Sequence, residues 1–196
     1  MPKIVTIAHQ KGGVGKSTLA LNLAYSFSKN VNTALADIDP QGSTIQLNGI
    51  VPDLNIIPFN DNIYNHNFDL LFIDTPPYLM NQMLPIFLKS DLVIVPTKAG
   101  VPDIMAIRST IELVGQAQKI NRKLKAALVL NMVKPRAIIT EQAKEQLKEY
   151  NLPIIGEIRD RVSYTNTFLT GGVLTGTDEN AKGEIQELTN KILELL

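Results

Sequence analysis

The chain has 196 residues, 44% of them hydrophobic and with no compositional break, so a single domain over 1–196 with one full core is expected. Nineteen Lys and Arg balance nineteen Asp and Glu, so net charge by itself indicates no polyanionic partner. The absence of cysteine excludes a disulfide framework, a zinc–cysteine site and a thiolate-held iron–sulfur cluster, leaving oxygen or imidazole for any metal.

The segment KIVTIAH begins at residue 3 as a strand, with no charged leader before it. Short, nearly continuous apolar runs follow: TALAD at 33–37, LNIIPF at 54–59, DLLFID at 69–74, DLVIVP at 91–96 and KAALVLN at 125–131. Such runs read as strands buried on both faces, the signature of a parallel sheet. Helical spacing appears between them, with Leu19, Leu23 and Phe27, then Ile104, Ile107, Ile111 and Val114, then the charged stretch 141–150. The end of the chain places Ile185, Leu188, Ile192 and Leu195 on one helical face opposite Glu187, Lys191 and Glu194. The longest irregular stretch is 42–52. This alternation predicts an α/β fold, a doubly wound and mostly parallel sheet with helices on both faces. No apolar run approaches the roughly 20 residues of a membrane span, so a soluble cytoplasmic chain without a membrane partner is expected.

Directly after the first strand comes Gln10-Lys11-Gly12-Gly13-Val14-Gly15-Lys16-Ser17-Thr18, which opens the first helix. Glycines let backbone N–H groups approach phosphate oxygens, and the helix N-terminus adds partial positive charge. Lys16 can then reach the β- and γ-phosphates of ATP, and the Ser17 hydroxyl can ligate Mg²⁺. A glycine-rich turn is the competing explanation. Two carboxylate motifs weigh against it, Asp37-Ile38-Asp39-Pro40-Gln41-Gly42 at the end of the second strand and Leu70–Asp74 followed by Thr75-Pro76-Pro77. Strand alternation puts Asp37 and Asp39 on one side, and the apolar strand before Asp74 delivers a single carboxylate toward a Mg²⁺-bound water.

The K-G-G-x-G-K-[ST] box has Gln10 where the general phosphate-loop pattern carries its first glycine, and a second lysine at position 11. With D-x-D-P-Q-G and D-x-P-P, it resembles the deviant Walker A box of the ParA/MinD superfamily, most specifically small ParA partition ATPases. The ending Ala181-Lys182-Gly183-Glu184-Ile185 also resembles that class. The resemblance covers nearly the whole chain, and the first strand leaves no room for an N-terminal helix-turn-helix. It implies a Mg²⁺-dependent ATP hydrolase acting in plasmid or chromosome partition. Lys11 would cross a nucleotide-sandwich homodimer in trans, Asp39 would orient the attacking water, and Asp37 and Asp74 would serve the metal. It also implies a centromere-binding partner of the ParB or ParG kind and a nucleoid location.

By the same resemblance, Asn131 at the end of KAALVL would read the adenine edge, although Asn there is also an ordinary turn former. Asp103 would lie at the dimer interface, although it also suits a first helical turn. Lys119, Arg122, Lys123, Lys125, Lys134 and Arg136 stand in a span without any Asp or Glu. With Arg159, Arg161 and Lys182, they are candidates for sequence-independent contacts to DNA phosphates, against the alternative of a solvated charged face. The stretch 42–69 is shorter than in longer family members, so a helix usual there is expected to be missing or reduced. Two other functions remain, a MinD-like membrane-positioning ATPase and a nucleotide-dependent scaffold with negligible hydrolysis. The acidic ILELL ending does not match the basic terminal helix of the first, and Asp39 argues against the second.

Overall fold

Seven strands form one all-parallel sheet in the computed structural model, which describes residues 1–38, 44–51, 53–60, 62–78, 83–134 and 137–196. They are β1 (Lys3–Ile7), β2 (Thr33–Asp37), β3 (Asn55–Pro58), β4 (Leu70–Asp74), β5 (Leu92–Thr97), β6 (Lys125–Val133) and β7 (Ile154–Arg159), in the order β3-β2-β4-β1-β5-β6-β7. The apolar runs become strands because both faces are covered. Helices α1 (Lys16–Ser28) and α7 (Glu179–Leu195) pack Leu19, Leu23, Phe27, Ile185, Leu188 and Ile192 against Val5, Leu35 and Phe72. On the other face α2 (Met83–Lys89), α3 (Val101–Ile120) and α4 (Ile138–Leu147) pack Phe87, Ile107, Val114 and Leu147 against Leu71, Ile73, Val93 and Leu128. Alternation along β4 sends Phe72 to one layer and Leu71 and Ile73 to the other.

The doubly wound expectation is met, with one strand and one helix of the sheet layers that the sequence pattern did not reveal. Strand β7 lies at the sheet edge, carries Glu157 and Arg159 and has a register irregularity against β6, so it lacks a continuous apolar run. Its Gly156 lies beneath α7, where an added Cβ would stand 3.0 Å from Leu188 Cδ1. Helix α2 covers seven described residues, Met83–Lys89, and contains Pro85, a stretch too short for a helical period to register. Among the described residues of 42–69, β3 and single 3₁₀ turns at Ile45–Leu47 and Ile63–Asn65 are present, in line with a reduced helix. No helix among the described residues is long and apolar enough to cross a membrane.

Between β7 and α7 the chain forms two short helices, α5 (Val162–Thr165) and α6 (Thr167–Thr170). Asn22, fully buried on α1, holds this segment in place. Its Nδ2 donates to Thr18 O at 2.8 Å and to Thr167 Oγ1 at 3.1 Å, and its Oδ1 accepts from Val173 N at 2.7 Å. Replacing Asn22 by Leu strands these buried partners without hydrogen bonds. The variant is expected to lose about 3 kcal/mol of unfolding free energy in a urea titration.

Candidate nucleotide site

The site is assembled at the carboxyl end of the sheet, where β1 lies between β4 and β5. β1 runs out through Ala8, whose N–H donates to Ile94 O at 3.0 Å, and passes into the glycine loop. Gln10 Nε2 ties that loop to α3 through Ala106 O at 2.7 Å. Pro77, from the segment after β4, covers Gly12, where an added Cβ would lie 3.6 Å from Pro77 Cβ. Val14 is fully buried, and Gly15 caps α1 in the left-handed region at φ +88°.

The two lysines of the loop occupy different environments. Lys16, at the start of α1, is buried, and its Nζ donates to Lys11 O at 3.2 Å, so the loop curls around it. Lys11 points outward with 40% of its side chain exposed, and its Nζ bonds Asp103 Oδ1 at 2.7 Å. Asp103 sits in the first turn of α3, on a helix whose neighbouring Val101 and Met105 are exposed, the latter at 72%. The structure thus brings together Lys11 and Asp103, both expected at one interface.

Asp37 and Asp74 are the last residues of β2 and β4, and they are direct register partners in neighbouring parallel strands. Strand spacing places their backbones about 4.8 Å apart. Both are buried, and one Asp37 oxygen accepts from Thr44 N and Thr44 Oγ1, holding the chain at Thr44. Two buried carboxylates abreast form an all-oxygen pair whose mutual repulsion a divalent cation such as Mg²⁺ would offset. Asp39 lies outside the described residues.

Asn131 closes the loop from the other side. Its Nδ2 donates to Val14 O at 2.8 Å and its Oδ1 accepts from Met132 N at 2.9 Å, so the amide braces the phosphate loop and retains one N–H and one lone pair. Beside it opens a cavity of about 210 Å³ lined by Thr18, Asn131, Met132, Asp160, Tyr164 and Phe168, among others. Met132 adopts φ +54° at the irregularity of β6, which turns the chain across this cavity. Among the other walls, Arg159 and Arg161 are DNA-contact candidates of the sequence, whereas Met132, Asp160, Tyr164, Thr165 and Phe168 belong to no motif and escape sequence reading.

His9 also escaped it. This histidine is buried, its Nδ1 accepts the Lys11 N–H at 2.8 Å, and burial, reinforced by Lys16, lowers its pKa to about 4.

The basic residues divide between two ends of the sheet. Arg161 donates from Nε and Nη2 to Glu184 Oε1 at 3.1 and 2.7 Å, and only 19% of its side chain is exposed. Tyr164 OH meets Glu184 Oε2 at 3.1 Å, and burial and that carboxylate push its hydroxyl well above its ordinary pKa. Arg159 is more open and shares Glu184, with Nε 3.9 Å from Oε1. Lys182 pairs with Glu179 at 2.7 Å. Lys134 follows β6 on the side of the site, whereas Lys119, Arg122, Lys123 and Lys125 lie before or at the start of β6, at the opposite end. Arg136 lies outside the described residues.

Residues 5–172 match the family described as the CobQ/CobB/MinD/ParA nucleotide binding domain. The chain is 28% identical to maintenance of carboxysome distribution protein A of Halothiobacillus neapolitanus, over 96% of this chain and 95% of that one. It is also 28% identical to protein ParA of Rhizobium radiobacter, over 98% and 99%. Among solved structures, a Borrelia burgdorferi plasmid partition protein bound to AMPPNP superposes with a TM-score of 0.80 at 23% identity, covering 100% of both chains. MinD of Aquifex aeolicus superposes at 0.76 and 18% identity, over 98% and 97%.

Two measurements probe this geometry. A Cβ at Gly15 would meet the Asn131 amide and oppose the positive φ. Gly15→Ala is therefore expected to weaken binding of an ATP analogue at least about tenfold by calorimetry, or about 1.4 kcal/mol. Asn131→Ala in the same chain should recover part of the loss. For His9, the folded chain holds the neutral imidazole while the unfolded chain takes up a proton below pH 6.5. Its contribution is complete above pH 6.5 and is lost as pH falls toward 4, amounting to about 2–3 kcal/mol. Urea unfolding between pH 7 and 4.5 should show a correspondingly shallower fall for His9→Gln.

Proposed function

We propose, for a chain that belongs to the CobQ/CobB/MinD/ParA nucleotide-binding family, that it is an ATP hydrolase switching between monomer and nucleotide-sandwich dimer to partition a DNA cargo. The observation that carries the reading is the division of labour between the two lysines. Lys16 is buried inside its own loop, whereas Lys11 stands at the mouth, half-exposed beside the exposed Val101 and Met105. A cation placed outside its own phosphate cradle is suited to the phosphates of a facing copy, as an arginine finger is.

In this reading the backbone of Gly12–Thr18 cradles the phosphates, Lys16 neutralises the β- and γ-phosphates, and the base occupies the cavity beside Asn131. Ser17, Asp37 and Asp74 would hold Mg²⁺, which would supply charge neutralisation at the phosphates. Asp39 orients the attacking water. The ATP dimer binds DNA without regard to sequence, and a centromere-binding protein accelerates hydrolysis and release, in the cytoplasm at the nucleoid. The similarity to protein ParA and to the Borrelia partition protein supports a DNA cargo. The similarity to the carboxysome distribution protein supports a second reading, in which the same cycle positions a protein body. The two differ in which partner raises turnover, a DNA-bound adaptor or a cargo-bound one.

The test combines ATP turnover with sedimentation. Lys16→Ala should lose nucleotide binding, Lys11→Ala should bind ATP yet stay monomeric, and Asp39→Ala should dimerise with turnover reduced at least about 100-fold. Dimerisation by Lys11→Ala equal to that of the parent chain would overturn the sandwich.

A further inference from the structure

We infer that the end of the sheet remote from the phosphate loop is a DNA-contacting surface that engages duplex phosphates whether or not nucleotide is bound, in addition to the ATP-dependent binding proposed above. In the dimer proposed above, two such surfaces would join two duplexes; this last step alone rests on that proposal.

Lys119, Arg122, Lys123 and Lys125 occupy the last turn of α3, the turn after it and the first residue of β6. Lys89, at the end of α2, lies close by, because Asn121 Nδ2 donates to Leu88 O at 3.0 Å and Lys125 N donates to Asp91 O at 2.9 Å. Many cations elsewhere have carboxylate partners, with Lys11, Lys144, Lys148, Arg161, Lys182 and Lys191 all within 2.6–3.0 Å of one, whereas Lys29, Lys98 and Lys134 have none among the described residues but are scattered singly along the chain. Among the described residues the four at this end reach none. Asp91, the acid beside them, is already held by Lys3 Nζ at 2.9 Å and Ile4 N at 2.9 Å.

Helix ends explain part of the pattern, since Lys89 and Lys119 face the negative C-termini of α2 and α3. Arg122, Lys123 and Lys125 lie beyond those termini and repel one another without compensation. A group of cations without carboxylate partners on rigid element ends fits the phosphate backbone, which requires no concave pocket. Ile120, 68% exposed among them, and the exposed Met1, which lines a cavity with Lys89 and Asp91, are what a lipid surface would use instead. Two separate apolar side chains add little beside four charges, so the duplex is the better fit.

Position then decides the nucleotide dependence. From Lys125 to Asn131, which touches the phosphate loop, β6 advances six residues, or about 20 Å. Apposing two nucleotide faces leaves these surfaces at opposite poles, on the order of 40 Å apart. They cannot merge into one composite patch, and nothing at the nucleotide site covers them.

The test measures anisotropy of a labelled duplex of arbitrary sequence across a KCl series, without nucleotide, with ADP and with ATP. Binding is expected in all three states, with log K falling against log salt at a slope of about −3 to −4 without nucleotide. Lys119→Glu/Arg122→Glu/Lys123→Glu should lose at least about tenfold of that affinity, while its DNA-free ATP turnover stays unchanged. The Gln triple variant serves if the Glu variant unfolds at lower urea. Bead-bound duplex should capture a second labelled duplex only with ATP and an intact patch.

Absent nucleotide-free binding, or binding indifferent to the triple substitution, overturns the inference. So does retention on phosphatidylglycerol vesicles in preference to duplex, which would assign the patch to a membrane. If nucleotide-free binding depends on the patch but bead capture fails in a chain that sediments as a monomer with ATP, the dimer proposal falls and the surface stands.

Discussion

A strand covered on both faces cannot carry a charge along its length without burying it, and that constraint organises the site. In β2 and β4 every residue is buried, and the only ionisable groups are the final ones, Asp37 and Asp74. Because the strands are parallel and in register, the two carboxylates arrive side by side. β1, paired with β4 so that Ile7 faces Asp74, releases its glycine loop at the same level. One packing rule thus gathers the two carboxylates and the glycine loop at one end, where open α/β sheets bind their ligands.

The cradle is held open by contacts that the glycines alone do not supply. Asn131 fixes Val14 O, Gln10 fixes the loop to α3, and Thr75 Oγ1 bonds Ile7 O at 2.8 Å where β1 ends. Asn22 extends the frame to the wall of the adjoining cavity, through Thr167 and Val173. A loop fixed from three elements incurs little ordering cost when phosphate arrives, which is the physical value of pre-organisation.

Much of this was legible in the sequence, for reasons that can be named. TALAD and LLFID show as strands because burial on both faces makes them continuously apolar, and the two-lysine box shows because phosphate binding demands glycine, lysine and hydroxyl in fixed order. β7 was not legible, since an edge strand with Gly156, Glu157 and Arg159 has neither a continuous apolar run nor a clean alternation. The basic span 119–136 was read as a unit because linear proximity hides the length of β6, which carries its first four cations away from the site. The role of Asn131 as a brace was equally hidden. A side-chain bond spanning 117 positions leaves no local pattern.

The pair Lys11–Asp103 ties the two sides of the candidate site together. Asp103 is 13% exposed in its side chain, so it depends on Lys11 more than Lys11, at 40%, depends on it. A fully buried pair broken at one end costs about 3–5 kcal/mol, and an exposed one less than about 1. This half-covered pair falls between them. For Lys11 to leave for the phosphates of a facing copy, the new contact must exceed that cost, or another cation must approach Asp103. Nucleotide phosphates carry several negative charges into a dry interface and can meet the first condition. In the proposed cycle the ion pair would hold Lys11 on its own chain until nucleotide is present, so the dimer is expected to follow ATP rather than precede it.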